Sequence, residues 1–421
     1  MAYRPLARRT LQPQDTRAGL FTDLLRAFRH RNYRLYWSGF SLSLIGTWMQ
    51  TLAMGWLVWR LTRSPFWLGV VGAMPQLPAL VFSSIGGVLV DRTVKRRLLY
   101  ITQSGMAVCA LVLGLLTVLD VVRLTDIVII AAISGIFAAI DAPARLAFVT
   151  ELVGKEDLGN AIALNASMFN AARLIGPAIA GVLVPLIGEG GCFLANGVSY
   201  IALIIGLSRM QNLPLQAAAE HAPMGKQLRE AWNFVLASPV IRTLMINVIL
   251  LAGLGLSYVS LMPLFADEIL ESGVRGLGAL MGATGIGAFF GGLMQASLPR
   301  GARRGPRVIY GAMGIATSLL LFSLSHSFIL SLLILPFLGF SSITMLASTN
   351  TLLQTLSPDH LRGRVLGFYT AAFLGTMPFG SFLLGTAASQ ITAPLTLTIT
   401  AAICLTVVAA TLLRNERLRA V

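Results

Sequence analysis

Fifty-one consecutive residues, Val308 to Pro358, contain no Asp, Glu, Lys or Arg, and a second such run of 49, Val365 to Leu413, follows almost at once. A hydrocarbon layer about 30 Å thick needs roughly 20 apolar residues per spanning helix, so each run is long enough for two crossings. Each also holds a natural hairpin, "LSHSF" (324–328) and "SQITAP" (389–394). Across all 421 residues 56% are hydrophobic and 12% charged, about half the charge of a soluble domain. Mean hydropathy is +0.77. The chain reads as an all-α membrane protein.

Shorter runs predict spans at about 35–59, 64–90, 98–119, 124–147, 159–187, 190–208, 243–266 and 276–299, which brings the expected total to twelve. An even number puts both termini on one side. Short loops retain Lys and Arg in the cytoplasm. With the N-terminus inside, all of the 32 basic residues fall on that side except Arg60, Arg63, Arg123 and Arg275, plus Arg173 within a span. The net charge of +15 is therefore spent on topology. Its clusters lack the aromatic interleaving of a nucleic-acid surface, so the lipid bilayer is the expected partner. Cys109, Cys192 and Cys404 lie singly in separate apolar runs, which fits neither a metal site nor a disulfide framework. No phosphate loop, H-E-x-x-H or G-x-S-x-G is present, so neither an enzyme nor a cofactor is expected.

Sliding the chain by 204 residues superposes seven of the 20 first-half glycines on second-half ones, among them Gly69 on Gly273, Gly135 on Gly339, Gly176 on Gly380 and Gly181 on Gly385. The predicted organisation is a cytoplasmic tail (1–33) with an interfacial helix, a six-helix bundle (34–210), a cytoplasmic linker (211–238), a second six-helix bundle (239–414) and a short tail (415–421). In the first tail Leu20, Phe21, Leu24, Leu25 and Phe28 recur at helical spacing. In parallel-repeat transporters the substrate site lies at the midplane between repeats.

The stretch "GGVLVDRTVKRRLL" (86–99) sets Asp91 among basic residues between two charge-free spans. It resembles the signature loop of the major facilitator superfamily, roughly G-x-x-x-D-R-x-G-R-R/K, and "ARLIGPAIAG" (172–181) is similar to the fifth-span motif of that superfamily's drug–proton antiporters. "DAPARLAFVTELV" (141–153) and "RGRVLGFYTAAFLGTMPFGSFLLG" (362–385) look like the branch of siderophore exporters and macrolide efflux proteins. Three positions depart from the pattern. Val94 replaces the loop glycine, Ala131 stands where many drug antiporters carry an arginine, and the second-half loop "GGLMQASLPRGARR" (291–304) has lost its acid.

The resemblance implies a bacterial inner-membrane, multi-pass secondary transporter working by alternating access. It would export a small amphipathic compound, a drug or siderophore, in exchange for protons, and a monomer is expected. A facilitator or a lysophospholipid-type lipid transporter of the same fold is an alternative, as is a membrane receptor that transports nothing. The resemblance further implies a conformational latch of Gly87, Asp91, Arg92, Arg145 and Arg362, in which Asp91 and Arg145 hold the cytoplasmic side closed.

Arg173 would sit some 14 residues into its span, near the midplane, where arginine costs at least about 2.5–3.5 kcal/mol to insert. It should contact an anionic or phenolic substrate, join a coupling network, or bond backbone carbonyls near Gly176-Pro177. Asn170 shares its face. Asp141, one to two turns from a cytoplasmic end, either carries a proton or pairs with Arg145 one turn on; the spacing favours the pair. Gln50, Asn165, Asn247, Tyr258 and Tyr369 are polar groups inside spans, which line a cavity or bond between helices. Gly176, Pro177, Gly181, Pro378 and Gly380 are expected to bend or pack equivalent helices.

Overall fold

The structure is a computed structural model that describes residues 25–78, 80, 82, 89–90, 92–211, 224–299, 301–413 and 415–421, and no strand occurs among them. The first long helix, α1, runs Arg31–Thr62. It is followed by α2 (Pro65–Ala73) and α3 (Lys95–Val118). The fourth, α4 (Leu124–Ser208), is 85 residues long and is broken twice, at Gly154 (φ 70°, ψ −179°) and Gly188 (φ 72°, ψ 171°). That backbone region is open essentially to glycine alone, so the two breaks divide α4 into rods 124–153, 155–187 and 189–208. The linker helix α5 is Met224–Ala237. Then come α6 (Pro239–Ile269), α7 (Gly273–Ala296), α8 (Gly305–Ser323) and α9 (Phe328–Leu356). The chain ends with α10 (Asp359–Gln390), α11 (Ala393–Val408) and the short α12 (Glu416–Ala420).

Eight of the described helices are long and apolar enough to cross a membrane. The long charge-free runs do divide at the expected hairpins. Ser327 and Thr392 cap the helices that follow, accepting from the backbone N–H of Leu330 and Leu395. The sequence-predicted interfacial helix lies outside the described residues up to Leu24; its last part, Arg26–Arg29, is a single 3₁₀ turn.

Two boundaries differ from expectation and change the depth of key residues. The 124–153 rod continues six residues beyond the predicted end at Ala147, so Asp141 lies 12 residues from its end, about 18 Å and not one or two turns. The cause is Gly154, which supplies the turn only after "FVTELV" has extended the helix. The next rod begins at Lys155 and not at 159. Arg173 is therefore 18 residues in, about 27 Å, still near the middle of the 155–187 rod.

Helix α6 is irregular. It widens into π-turns at Leu251–Gly255 and Phe265–Ile269, with a 3₁₀ turn at Ser257–Leu261 between them. Such turns are common at functional sites, and here they carry Tyr258 and Asp267.

Packing repeats with the glycine step. Gly176 approaches Met49 of α1, where an added Cβ would lie 3.0 Å from the backbone nitrogen; Gly380 approaches Gly253 of α6, 204 residues further on in both partners. Between the halves, Gly181 meets Gly278 and Gly385 meets Gly69, with an added Cβ 2.9 and 2.7 Å from the opposing Cα. Pro177 and Pro378 sit inside continuous helices. Close packing by small residues is the usual basis of helix association in lipid, where no hydrophobic force separates helix from tail.

Candidate functional site

One end of the bundle gathers the basic helix termini. Arg31 donates to the Arg209 carbonyl, Arg96 to that of Ser208, and Lys95 pairs with Glu151. Asp157 is held by Arg29 at 2.7 Å and His30 at 2.8 Å, with Arg26 at 3.6 Å. Its charged run, Lys155-Glu156-Asp157, lies outside the apolar stretches. The hydrogen bond with His30 and the charges of Arg29 and Arg26 hold this carboxyl below its ordinary range, against the opposing effect of burial. In the second half Asn415 reaches Thr243, and the Gly305 N–H donates to the Val421 carbonyl at the same end.

The far end is where the halves are tied together. The indole N–H of Trp59 donates to Asp267 at 2.9 Å, and Arg63 pairs with the same oxygen while stacking over the Trp59 ring. Arg63 and Asp267 are themselves one 204-residue step apart. Arg60 binds Glu189 beside them at 2.9 Å. One buried apolar cluster runs from Met49–Trp59 of α1 and Leu68 of α2 straight into α6, α7 and α9. At the basic end, Ala27–Leu44, Ala144–Ala172 and Leu203–Met210 form a separate cluster drawn only from the first half. Gly159, Gly363 and Gly367, near that end, face open space.

Between these ends lie the polar groups of the spans. Asp141 and Arg145 form a pair at 2.7 Å, as the spacing predicts. The other carboxylate oxygen accepts from Thr102 at 2.7 Å and Gln103 at 2.8 Å. Asp141 is 1% exposed, and Arg145 stacks on Phe40, 4.6 Å from the ring centre. A buried charge survives only when paired and hydrogen-bonded this fully. Gln50 accepts from Asn196, which also accepts from Ser199. Thr47 bonds Tyr200 at 3.1 Å.

Arg173 differs from the other core-facing arginines. It stacks over Trp48 of α1, 5.7 Å from the ring centre. No carboxylate pairs with it among the described residues. Its neighbour Leu174 packs on Gly285 of α7, and Tyr258 contacts Thr284 at 3.4 Å. Both halves thus contribute to its surroundings. Asn170 bonds back to the Ala166 carbonyl and stands 4.0 Å from where a Cβ on Gly292 would lie.

The remaining candidates are helix ties. Asn165 accepts from Tyr33, Asn247 donates to Thr411, and Tyr369 donates to the Leu346 carbonyl, each within its own half. Of the latch residues, Gly87 and Asp91 lie outside the described residues. Arg92 is exposed. Arg362 is engaged by Asp359 and the Gln354 carbonyl, and Arg145 by Asp141. Trp48, Thr102, Gln103, Trp59, Arg63 and Asp267 were missed in the sequence. For Asp267 a signal existed: an acid one repeat step from Arg63.

The chain is a transmembrane transporter of the major facilitator type. It belongs to the transmembrane secretion effector family, whose sequence profile it matches over residues 22–421. It is 25% identical over 358 residues to the staphyloferrin A transporter of Staphylococcus aureus, covering 83% of this chain and 88% of that one. It is 28% identical over 361 residues to the enterobactin exporter EntS of Escherichia coli O81, covering 85% of each. Among solved structures, the nucleoside transporter NupG superposes with a TM-score of 0.69 at 14% identity, over 92% of this chain and 98% of that one. A bacterial homologue of the human lysosomal transporter Spinster, in an inward-facing and occupied conformation, gives 0.69 at 12% identity, over 96% and 98%.

Proposed function

We propose that the protein is a secondary transporter of the bacterial inner membrane that moves a small amphipathic compound outward by alternating access, in exchange for protons. The observation that carries this reading is the difference between the two ends. The halves share one apolar core and the Asp267 cluster at the far end, whereas at the basic end the first half has a core of its own, separate from that of the second half. In this reading a site beside Arg173 and Trp48, between the halves, opens to the basic side. The gathered arginines support a cytoplasmic location for that side. This orientation, with twelve spans and both termini inside, is the topology of the proposal.

The relatives named for staphyloferrin A and enterobactin support a siderophore-like cargo. The fully bonded Asp141–Arg145 pair is the candidate coupling element, because cargo or proton arriving there must compete for the same charges. Asp91, by resemblance, adds a latch to Arg145 when the cytoplasmic side closes. The test is efflux from loaded vesicles under an imposed pH gradient. Efflux that rises with an inward-directed proton gradient supports antiport. Efflux indifferent to the gradient leaves facilitated diffusion, and no flux of any probe sinks the transporter reading in favour of a receptor.

A further inference from the structure

We propose that Arg173 is the anchor of an anion-binding subsite between the halves, and that the cargo carries one anionic oxygen headgroup, a carboxylate or ionised phenol, beside an apolar ring. This rests on the transporter reading above.

Four arginines at the edges or interior of the bundle each have a carboxylate of their own. Arg29 has Asp157, Arg60 has Glu189, Arg63 has Asp267 and Arg145 has Asp141. Arg173 is partly buried in the middle of its rod, and among the described residues it faces the Trp48 indole where the others face acids. A guanidinium placed so deep, with no acid committed to it among the described residues, is matched by an acceptor that arrives with the ligand. A guanidinium offers a planar fork of donors that fits a carboxylate in two places at once.

The walls define the rest of the ligand. Trp48 meets Phe169 edge to face at 5.7 Å, which gives one aromatic side from the first half. From the second half α7 closes on the same rod, with Gly285 against Leu174 and the Asn170 amide 4.0 Å from a Cβ built on Gly292. One repeat step from Arg173 stands Met377, so the second half adds no cation at the equivalent place. The subsite therefore holds a single charge. Because its walls come from both halves, a bound anion bridges them, and release follows when they separate.

The experiment measures binding of 2-naphthoate and of 2-naphthamide, its uncharged counterpart, to the full chain in zwitterionic nanodiscs. Decyl phosphate, a mimic of a lipid headgroup and tail, runs in parallel. The wild type is expected to favour naphthoate by about tenfold or more, Arg173→Lys to keep most of that preference, and Arg173→Gln to bring the pair within about twofold with naphthamide binding unchanged. That last result also shows that the variant site is intact. Equal binding in the wild type, or a preference that survives Arg173→Gln, overturns the subsite. Tighter binding of decyl phosphate, lost in Arg173→Gln, overturns the aryl-carboxylate class and assigns the headgroup to lipid. Gradient-driven efflux of a probe without any preference for the anion removes the subsite and leaves the transporter reading standing. Anion binding without any transport does the reverse.

Discussion

The two halves share their packing and differ in their charges. Gly176 on Met49 and Gly380 on Gly253 repeat one contact at a 204-residue step. Yet Asp141 and Arg145 correspond to Met345 and Thr349, where the threonine hydroxyl lies 3.6 Å from the methionine sulfur. Arg173 corresponds to Met377, Gln50 to Leu254 and Tyr200 to Cys404. Backbone approach is a requirement of the fold and is kept in both copies. A buried charge is a cost that the fold does not need, so its presence in one copy alone is what the proposed anion-binding and coupling roles require.

Rewriting the first half in the image of the second tests this directly. Asp141→Met alone strands Arg145 in the interior and is expected to destabilise the protein by about 3–5 kcal/mol, seen as a lower melting temperature in detergent. Adding Arg145→Thr, which copies the second half, should restore more than half of that loss and still abolish coupling of efflux to pH. If the double variant is no more stable than the single one, the pair is not a self-contained unit.

Arg173→Met makes the other replacement. Removing an arginine with no acid beside it among the described residues should raise thermal stability, by at most about 3 kcal/mol, while transport falls. A variant both less stable and fully active would place Arg173 in the architecture.

At the far end, Asp267→Ala removes the acceptor of Trp59 and the partner of Arg63. The loss is expected to be about 1–2 kcal/mol, read as several-fold faster labelling of a cysteine placed beside Gly69 or Gly385. Asp267→Asn keeps an acceptor for the indole and should shift labelling less, since an exposed pair contributes only about 0.2–1 kcal/mol.

The smallest effect concerns the clasp of Asp157 at the basic end. Its carboxyl is held below the ordinary value of about 3.9. The stability it contributes is therefore complete above that value and is lost only as pH falls through the lower, folded one. Proteolysis near Arg29 should be unchanged from pH 8 to 5 and rise in stronger acid, and Asp157→Asn should remove the acid dependence.

Much of this was legible in the chain. Charge-free runs gave the helices because lipid excludes unpaired charge. Two hairpins, the glycine step and the i, i+4 pairing of Asp141 with Arg145 could be read because each is local or periodic. The depth of Asp141 was misjudged, since an apolar rod runs on until a glycine allows the turn, and "FVTELV" carries only one charge. Asn165, Asn247 and Tyr369 could not be sorted from cavity groups by sequence. A polar side chain in a span serves as a tie or a site according to its neighbour, and the neighbours here lie 132, 164 and 23 residues away.

The sequence by itself determined that the chain is helical, membrane-embedded, doubled and basic on one face, because hydrophobic length and loop charge act residue by residue. Only the tertiary structure decided which arginines are answered by acids. It joined Arg63 and Trp59 to Asp267, gave Asp141 its two further donors, and set Arg173 against Trp48. The physical reason is that a charge in a low-dielectric interior is governed by whatever lies within a few ångströms of it, and that neighbourhood comes into being when the two halves pack.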